Sequence, residues 1–230
     1  MLNYDQNIFL SHSIHILCDF DGTISLNDTT DLLLNHYAKE GWEEIENQWE
    51  NGLIGSQHCM QNQIELLDMS KSEFYNCLDQ MELDLSFIEL LSFCSDFSIP
   101  ITIVSDGLDL AIHYLLNKYN IYNVTIVANK LIQRSEKTWS LEFPNASPFC
   151  IKENGTCKCK IADQSNKPTI ILIGDGRSDF CLAHQVQFIF AKSSLINYCE
   201  EQNLPFKPIH QISDSIPQLQ KLIHLNMVKA

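Results

Sequence analysis

The chain has no long apolar run and contains little glycine and proline. Eight glycines and seven prolines among 230 residues, with 45% hydrophobic residues, are typical of a folded chain with a substantial core. Nowhere do about 18 consecutive apolar residues occur, as a membrane-spanning helix requires. The first residues, MLNYDQNIFLSHS, have neither the basic start nor the apolar stretch of a signal peptide. We therefore expect a cytoplasmic protein that does not enter a membrane.

Positive charge is scarce. Fifteen basic residues face 29 acidic ones, which gives a formal net charge of -14. Such a chain is repelled by nucleic-acid phosphates and by anionic lipids, which argues against both as partners. Positions 25–100 carry fifteen acidic residues, two lysines and no arginine. An enzyme or a binding protein for small molecules remains, as a monomer or a homodimer.

The nine cysteines are an odd number scattered along the chain, and a core of this size needs no disulfide framework. We expect most of them to be small buried hydrophobic residues. Cys150, Cys157 and Cys159 could supply thiolates to zinc, but no fourth ligand is evident. Their role stays open.

Short β-branched and apolar runs recur and predict strands that are buried on both faces. Helical patterns separate several of these runs, which is the alternation of a parallel sheet flanked by helices. The sequence therefore predicts an α/β fold. The runs lie at residues 14–17, 101–104, 124–127, 169–173 and 188–190.

No strand-like run occurs between about Asn27 and Phe97, and glycines together with a capping box from Ser70 to Glu73 divide this stretch into four or five helices. We predict a helical cap over residues 27–97, inserted into an α/β core formed by residues 1–26 and 98–230. Alternation in residues 131–143 predicts a hairpin appended to the sheet.

Polar and acidic motifs follow three of the predicted strands. They are DFDGT at 19–23, SDG at 105–107 and GDGRSD at 174–179. Ligands of α/β sheets bind at the carboxyl ends of strands, so these groups are expected to converge there. Oxygen-rich acidic sites suit a hard cation such as Mg²⁺, and a phosphate ligand would complete the charge balance.

These three motifs resemble those of the haloacid dehalogenase superfamily, and the resemblance extends over nearly the whole chain. It implies a Rossmann-like parallel sheet with an inserted helical cap, as in the phosphoserine-phosphatase-like branch. Within that branch the run Cys157-Lys158-Cys159-Lys160 and GDGRSDFC look like the enol-phosphate phosphatases of methionine salvage. The second half is also similar to phosphocholine and phosphoethanolamine phosphatases.

The resemblance implies a magnesium-dependent phosphatase whose nucleophile is Asp19, which forms an aspartyl phosphate. Asp21 would protonate the leaving oxygen and then activate the hydrolytic water. The Asp19 carboxylate, the Asp21 carbonyl and the Asp175 side chain would hold Mg²⁺, and Asp179 would orient them.

The resemblance also assigns the phosphate site. The Ser105 hydroxyl and the Gly107 amide would donate to phosphate oxygens, and Thr23 favours phosphatase over dehalogenase chemistry. A lysine would hold phosphate and nucleophile together. Lys160 is the first choice because a Cys-Lys pair leads into a helix there, and Lys158 repeats the pair two residues earlier. Weaker candidates are Lys152 and Lys167.

Asp28 lies where that branch places an acid that meets the amino group of its substrate. With no arginine in the insert to bind a carboxylate, a neutral or cationic leaving group is favoured over phosphoserine. Candidate substrates are a methionine-salvage enol phosphate, phosphocholine or phosphoethanolamine, and phosphoserine.

Ser178 stands where relatives often carry Asn, and Asp106 and Asp109 are interpreted as turn and helix-start residues. A phosphomutase, or a non-catalytic metal- or phosphate-binding regulatory protein of the same fold, are the alternatives.

Overall fold

A seven-stranded sheet forms the centre of the protein, in a computed structural model that describes residues 14–165 and 169–227. The strand order is β4-β3-β2-β1-β5-β6-β7, and every pairing is parallel except that of β4 with β3. The first thirteen residues and Lys167 lie outside the described residues. The strands are β1 Ile14–Cys18, β2 Ile101–Leu108, β3 Thr125–Gln133, β4 Trp139–Glu142, β5 Thr169–Gly174, β6 Phe188–Ala191 and β7 Phe206–Pro208.

All five strands predicted from apolar runs are present, and four of these runs are buried on both faces of the sheet, whereas residues 124–127 are half-buried or exposed. On one face Ile16 belongs to a hydrophobic cluster shared with the first helices of the chain. On the other face Leu17 belongs to a second cluster, which includes Leu182 and Leu195. Successive side chains of a strand point to opposite faces, so one apolar run supplies both layers.

Five helices follow β1 before the chain returns to the sheet at β2. They are α1 Thr29–Tyr37, α2 Trp42–Glu50, α3 Ser56–Glu65, α4 Lys71–Leu78 and α5 Ser86–Asp96. The predicted capping box is present, since Ser70 and Glu73 bond reciprocally at the start of α4. Leu33, Phe74 and Phe87 of these helices share one buried cluster with the sheet. The division of the chain into a core and a separate cap domain stays a prediction.

The predicted hairpin is also present, and it extends the sheet beyond β3. Residues Lys130 to Gln133 pair antiparallel with β4. Strand β7 was not predicted, because its three residues, FKP, include a lysine and a proline. The remaining helices are α6 Asp109–Lys118, α7 Lys158–Asp163, α8 Phe180–Ala183, α9 Ser193–Glu201 and α10 Ile216–Met227.

Strand β1 is central to the location of the site. It pairs with β2 on one side and with β5 on the other. Strands β2, β3 and β4 follow one another on the first side, and β5, β6 and β7 follow one another on the second. Ligands of open α/β sheets bind at such a switch point, outside the carboxyl ends of the strands. In residues 14–165 and 169–227, no helix has the length and apolar character needed to cross a membrane.

Candidate active site

Asp19 directly follows β1 and is buried at the switch point. Its Oδ1 accepts a hydrogen bond from the Phe20 amide at 2.8 Å. Its Oδ2 lies 2.8 Å from the Lys158 ammonium and accepts from the Ser178 hydroxyl at 3.2 Å. The backbone amide of Asp19 donates to Ile173 of β5 at 2.9 Å, which fixes the residue at the end of the sheet.

Three carboxylates gather here. One oxygen each from Asp19, Asp175 and Asp179 lies within 4.8 Å of the others. Burial, and then the charge of Asp19, raise the pKa of Asp175 to about 6 and the pKa of Asp179 to about 7. A single ammonium, that of Lys158, bridges two of the three acids. A compact, buried set of oxygen donors with excess negative charge fits a hard divalent cation such as Mg²⁺.

Lys158 is buried between two of these acids. Its ammonium lies 2.7 Å from Asp179 Oδ1 and 2.8 Å from Asp19 Oδ2, and it donates to the Ser178 hydroxyl at 2.9 Å. Burial alone lowers the pKa of Lys158, but Asp179 and Asp19 outweigh it and hold that pKa above its ordinary value. The group is therefore a fixed positive charge beside Asp19.

Asp179 and Thr23 fix the loops that surround the cluster. The second oxygen of Asp179 accepts from the amides of Asp175 and Gly176 at 3.1 and 3.4 Å. The Thr23 hydroxyl donates to Asp175 Oδ1 at 3.0 Å. Gly22 has a φ of 73°, and a Cβ at that position would collide with Asp175, so the glycine of DFDGT is needed for both conformation and space.

Asp21 is held on the side of the cavity that faces the helical insert. Its Oδ1 accepts from the amide and from the hydroxyl of Thr29, both at 2.8 Å. Burial and the neighbouring Asp28 raise the pKa of Asp21 well above its ordinary value. A carboxyl group with a raised pKa suits a general acid.

Ser105 and Gly107 lie at the end of β2, next to Asp21. The Ser105 hydroxyl is 3.5 Å from Asp21 Oδ2 and accepts from the Gly107 amide at 2.9 Å. A Cβ on Gly107 would collide with Asp21 and approach the Ser105 hydroxyl. The SDG motif therefore brings a hydroxyl and a backbone amide against the candidate acid, where a side chain at position 107 would not fit.

The site opens into a cavity of about 230 Å³ between the sheet and the helical insert. The insert contributes three acidic residues to the cavity wall, Asp28, Asp31 and Glu46, beside the apolar side chains of Trp49 and Met60. The Asp28 carboxylate caps α1 by accepting hydrogen bonds from the Thr30 and Asp31 amides. Enclosure by the cavity walls and then the charge of Asp31 raise the pKa of Asp28 to about 6. Arg177 and Trp49 form a cation–π pair across the cavity edge, 5.3 Å apart.

Comparison with known proteins identifies the family. The sequence profile of the haloacid dehalogenase-like hydrolases matches residues 16–184, which is more than half of the chain. This chain belongs to the haloacid dehalogenase-like hydrolases. It is a phosphoric monoester hydrolase of that family, as the family profile and the names of its relatives indicate.

This hydrolase is similar to two relatives and to one solved structure over most of its length. It is 29% identical over 209 residues to a 2-hydroxy-3-keto-5-methylthiopentenyl-1-phosphate phosphatase of Exiguobacterium sp., covering 87% of this chain and 96% of the relative. It is 26% identical over 227 residues to the polyol phosphate phosphatase PYP1 of Saccharomyces cerevisiae, covering 90% and 93%. A substrate-bound phosphoserine phosphatase structure superposes with a TM-score of 0.66 at 18% identity, covering 90% and 98%.

The structure does not place Lys160 in the site of this hydrolase, contrary to the first choice from sequence. The Lys160 ammonium donates to the Ala146 carbonyl at 3.0 Å, and Lys158 contacts Asp19 instead. Helix α7 begins at Lys158, and residues two apart on a helix point to nearly opposite sides. The two Cys-Lys pairs look equivalent in sequence, and only the start of the helix distinguishes them.

Two residues that line the cavity of this hydrolase were not among the site residues predicted from sequence. Ser178 bonds both Lys158 and Asp19. Asp106, interpreted as a turn residue, is buried and bonds three separate segments. Asp106 follows Ser105 in the SDG motif, but its partners lie 23 to 50 positions away along the chain, so no local pattern reveals them.

The cysteines form no disulfide, and all nine are free. Cys150 lies near Cys157, and Cys181 lies near Cys159. Burial and neighbouring thiols raise the pKa of Cys159 to about 12, so its thiolate form is disfavoured. Within the described part of the chain, the three aspartates are the only compact group of potential metal ligands.

Proposed function

We propose that this hydrolase cleaves small phosphomonoesters through a phosphorylated Asp19. The observation that carries the proposal is the buried ammonium of Lys158, which lies 2.8 Å from Asp19 in a cluster of three carboxylates. A carboxylate attacks a phosphate dianion only when the charge of both is offset. Lys158 supplies part of that offset at the nucleophile itself.

The reaction has two displacements at phosphorus. In the first, an Asp19 oxygen forms a bond to phosphorus while the ester oxygen leaves with a proton from Asp21. In the second, Asp21 takes a proton from water, whose oxygen attacks phosphorus and releases inorganic phosphate and the free Asp19 carboxylate. The raised pKa of Asp21 is consistent with a group that begins the cycle protonated.

Magnesium is the cofactor that the donor set favours. The residues that would hold it are Asp19, Asp175 and the Asp21 carbonyl, with Asp179 orienting the Asp175 loop through its amide contacts. The bound ion would neutralise phosphate oxygens during the displacement. We infer that Ser105, Gly107 and Lys158 bind those phosphate oxygens from the side of the protein.

The cavity walls support a neutral or cationic leaving group. Asp28, Asp31 and Glu46 face the space next to Asp21, and Arg177 is the only basic residue among the cavity-lining residues that the structure describes. Arg177 is already engaged with Trp49. A substrate carboxylate would be repelled by the acidic wall, so we place polyol phosphates, the enol phosphate of methionine salvage and phosphocholine ahead of phosphoserine.

The first test is hydrolysis of p-nitrophenyl phosphate with magnesium, with a chelator, and by Asp19→Asn. We expect turnover that needs magnesium and that falls by at least about a thousandfold in the variant, because the amide is no nucleophile. The matched control is Asp96→Asn, an exposed acid at the end of α5, which should keep full activity. Phosphate binding without turnover in the wild type would favour a binding protein instead.

The second test ranks substrates. The ratio kcat/KM is compared for phosphocholine, a polyol phosphate and phosphoserine under the same conditions. We expect phosphoserine to be the poorest of the three by about tenfold or more, because it brings a carboxylate against the acidic wall. A clear preference for phosphoserine would refute this assignment while leaving the phosphatase mechanism intact.

A further inference from the structure

The carboxylate of Asp106 joins three separate segments of the chain in one hydrogen-bonded network. Its Oδ1 accepts from the Thr156 amide at 2.8 Å and from the Asn129 side-chain amide at 3.0 Å. Its Oδ2 accepts from the hydroxyl of Ser56. The Thr156 hydroxyl donates to Asn129 Oδ1 at 3.0 Å and closes the network.

Every member of this network is buried, although the cavity lies beside it. Asp106 is 8% exposed, Ser56 is 6% exposed, and Asn129 and Thr156 have no exposed surface. A buried carboxylate is tolerated only when its oxygens are hydrogen-bonded. Asp106 uses three of about four acceptor positions on protein donors, so it has little capacity left to bind a substrate directly.

One branch of the network leads to Lys158. The Thr156 amide lies two residues before Lys158, and Asn129 holds the Thr156 side chain as well. Between them, the Cys157 amide donates to the Asn145 carbonyl at 3.2 Å. Asp106 therefore anchors the backbone just before Lys158. This backbone sets the direction in which the Lys158 side chain extends toward Asp19.

The other branch leads to the helical insert. Ser56 is the first residue of α3, and that helix supplies Cys59, Met60 and Gln63 to the cavity wall. The next amide, that of Gln57, donates to the Glu153 carbonyl at 2.9 Å, in the same loop that leads to Lys158. The start of α3 and the lysine loop are thus tied to each other at two points.

We propose that Asp106 is a positioning residue that aims Lys158 at Asp19 and, through Ser56, holds α3 over the cavity. The inference rests on the proposed function, because both branches affect activity only if a substrate phosphate binds beside Lys158. The two branches have different expected effects. The Lys158 branch affects phosphate itself, whereas the Ser56 branch affects only the part of a substrate that α3 covers.

The Ser56 branch is tested with Ser56→Ala, using Ser92→Ala, an exposed serine on α5, as the matched control. For p-nitrophenyl phosphate we expect KM to rise about three- to tenfold and kcat to stay within about twofold, because one hydrogen bond to a carboxylate is lost. The dissociation constant of inorganic phosphate, measured by calorimetry with magnesium, should stay within about twofold. Amides of α3 should exchange hydrogen faster.

The Lys158 branch is tested with Asp106→Ala and Asp106→Asn. The alanine variant should weaken inorganic phosphate binding about tenfold or more and lower kcat by a similar factor. The asparagine variant keeps an oxygen for Thr156 and Asn129, so phosphate binding should return to within about threefold of the wild type. Thermal unfolding of each variant checks that the protein is folded.

The proposal is overturned if folded Ser56→Ala leaves KM unchanged and folded Asp106→Ala leaves phosphate binding unchanged. It is also overturned if the asparagine variant binds phosphate as poorly as the alanine variant, since charge and not positioning would then matter. If Asp106→Ala does not fold, the KM of Ser56→Ala and the phosphate affinity of Asp106→Asn decide. A wild-type protein that binds phosphate but hydrolyses none of the substrates refutes the proposed function. In that case the phosphate affinity of the Asp106 variants and the hydrogen exchange of the α3 amides still test the role of Asp106.

Discussion

At the scale of single residues, the position of one ammonium organises the candidate site. Lys158 is buried between Asp19 and Asp179, and Ser178 contacts both the lysine and Asp19. Removing the Lys158 ammonium would leave buried acids without a countercharge, and an uncompensated buried charge strongly destabilises a protein. The same ammonium would stabilise charge on a phosphate during transfer.

We predict that Lys158→Met and Lys160→Met differ sharply. Loss of the Lys158 ammonium should lower kcat/KM for p-nitrophenyl phosphate by about a hundred- to a thousandfold, as for other preorganised electrostatic groups. Lys160→Met, the matched control two residues away, should stay within about twofold, because the Lys160 ammonium donates to the Ala146 carbonyl and contacts no acid of the site. A greater loss in the Lys160 variant would restore the assignment from sequence.

At the scale of elements, helix starts decide which side chains reach the cavity. Helix α1 begins at the Asp28 cap, next to the Thr29 groups that bind Asp21, and helix α7 begins at Lys158. Helix α4 shows the local chemistry of such a start without a functional role. The Glu73 carboxylate accepts from the Ser70 amide at 2.7 Å, and the Ser70 hydroxyl accepts from the Glu73 amide at 3.3 Å.

We predict that Ser70→Ala lowers the free energy of unfolding by about 1 kcal/mol, because one helix-end amide loses its acceptor. The midpoint of urea denaturation should fall while its slope stays constant. Ser92→Ala, on the exposed surface of α5, should leave the midpoint unchanged or slightly raised, since alanine is the better helix former. An equal effect of both substitutions would show that the capping box contributes nothing.

At the scale of the whole molecule, the fold gathers three acidic side chains at neighbouring strand ends. The chain carries a formal charge of -14, and its sheet brings Asp19, Asp175 and Asp179 together at the ends of β1 and β5. The pKa of Asp175, about 6, and that of Asp179, about 7, both lie above the ordinary value of 3.8. The native protein without metal therefore binds protons that the unfolded chain has already released.

We predict that the metal-free protein loses stability as the pH rises from about 4 to about 8, because the raised carboxyl pKa values favour the native state only when those groups are protonated. Magnesium at a hundred times its dissociation constant should add about 2.7 kcal/mol to the free energy of unfolding. Because protons compete for the same oxygens, the gain at a fixed metal concentration should be larger near pH 8 than near pH 5. Urea denaturation with magnesium and with a chelator measures both.

A gain from magnesium that does not change with pH, or none at all, would contradict this assignment of the carboxylates. Asp96→Asn provides the control, since this acid lies on the surface at the end of α5 and should leave the pH dependence unchanged. The prediction concerns binding alone, so it holds even for a protein without turnover.

The sequence by itself determined every strand except β7, the helical stretch between β1 and β2, and the positions of the acidic motifs. Burial on both faces leaves a continuous apolar run in β1, β2, β5 and β6, and the parallel arrangement brings the residues after β1, β2 and β5 to one edge. Asp19, Asp21, Ser105 and Asp175 could be assigned to one site for this reason. Periodicity and chain order suffice for such conclusions.

Only the tertiary structure decided between Lys158 and Lys160, and only it revealed the partners of Asp106. Both lysines follow a cysteine, and the start of α7 at Lys158 determines which of them points at Asp19. Asp106 bonds Ser56, Asn129 and Thr156, which come from a helix, a strand and a loop. Contacts of this kind depend on how distant segments pack, and a linear pattern of residue types does not contain that information.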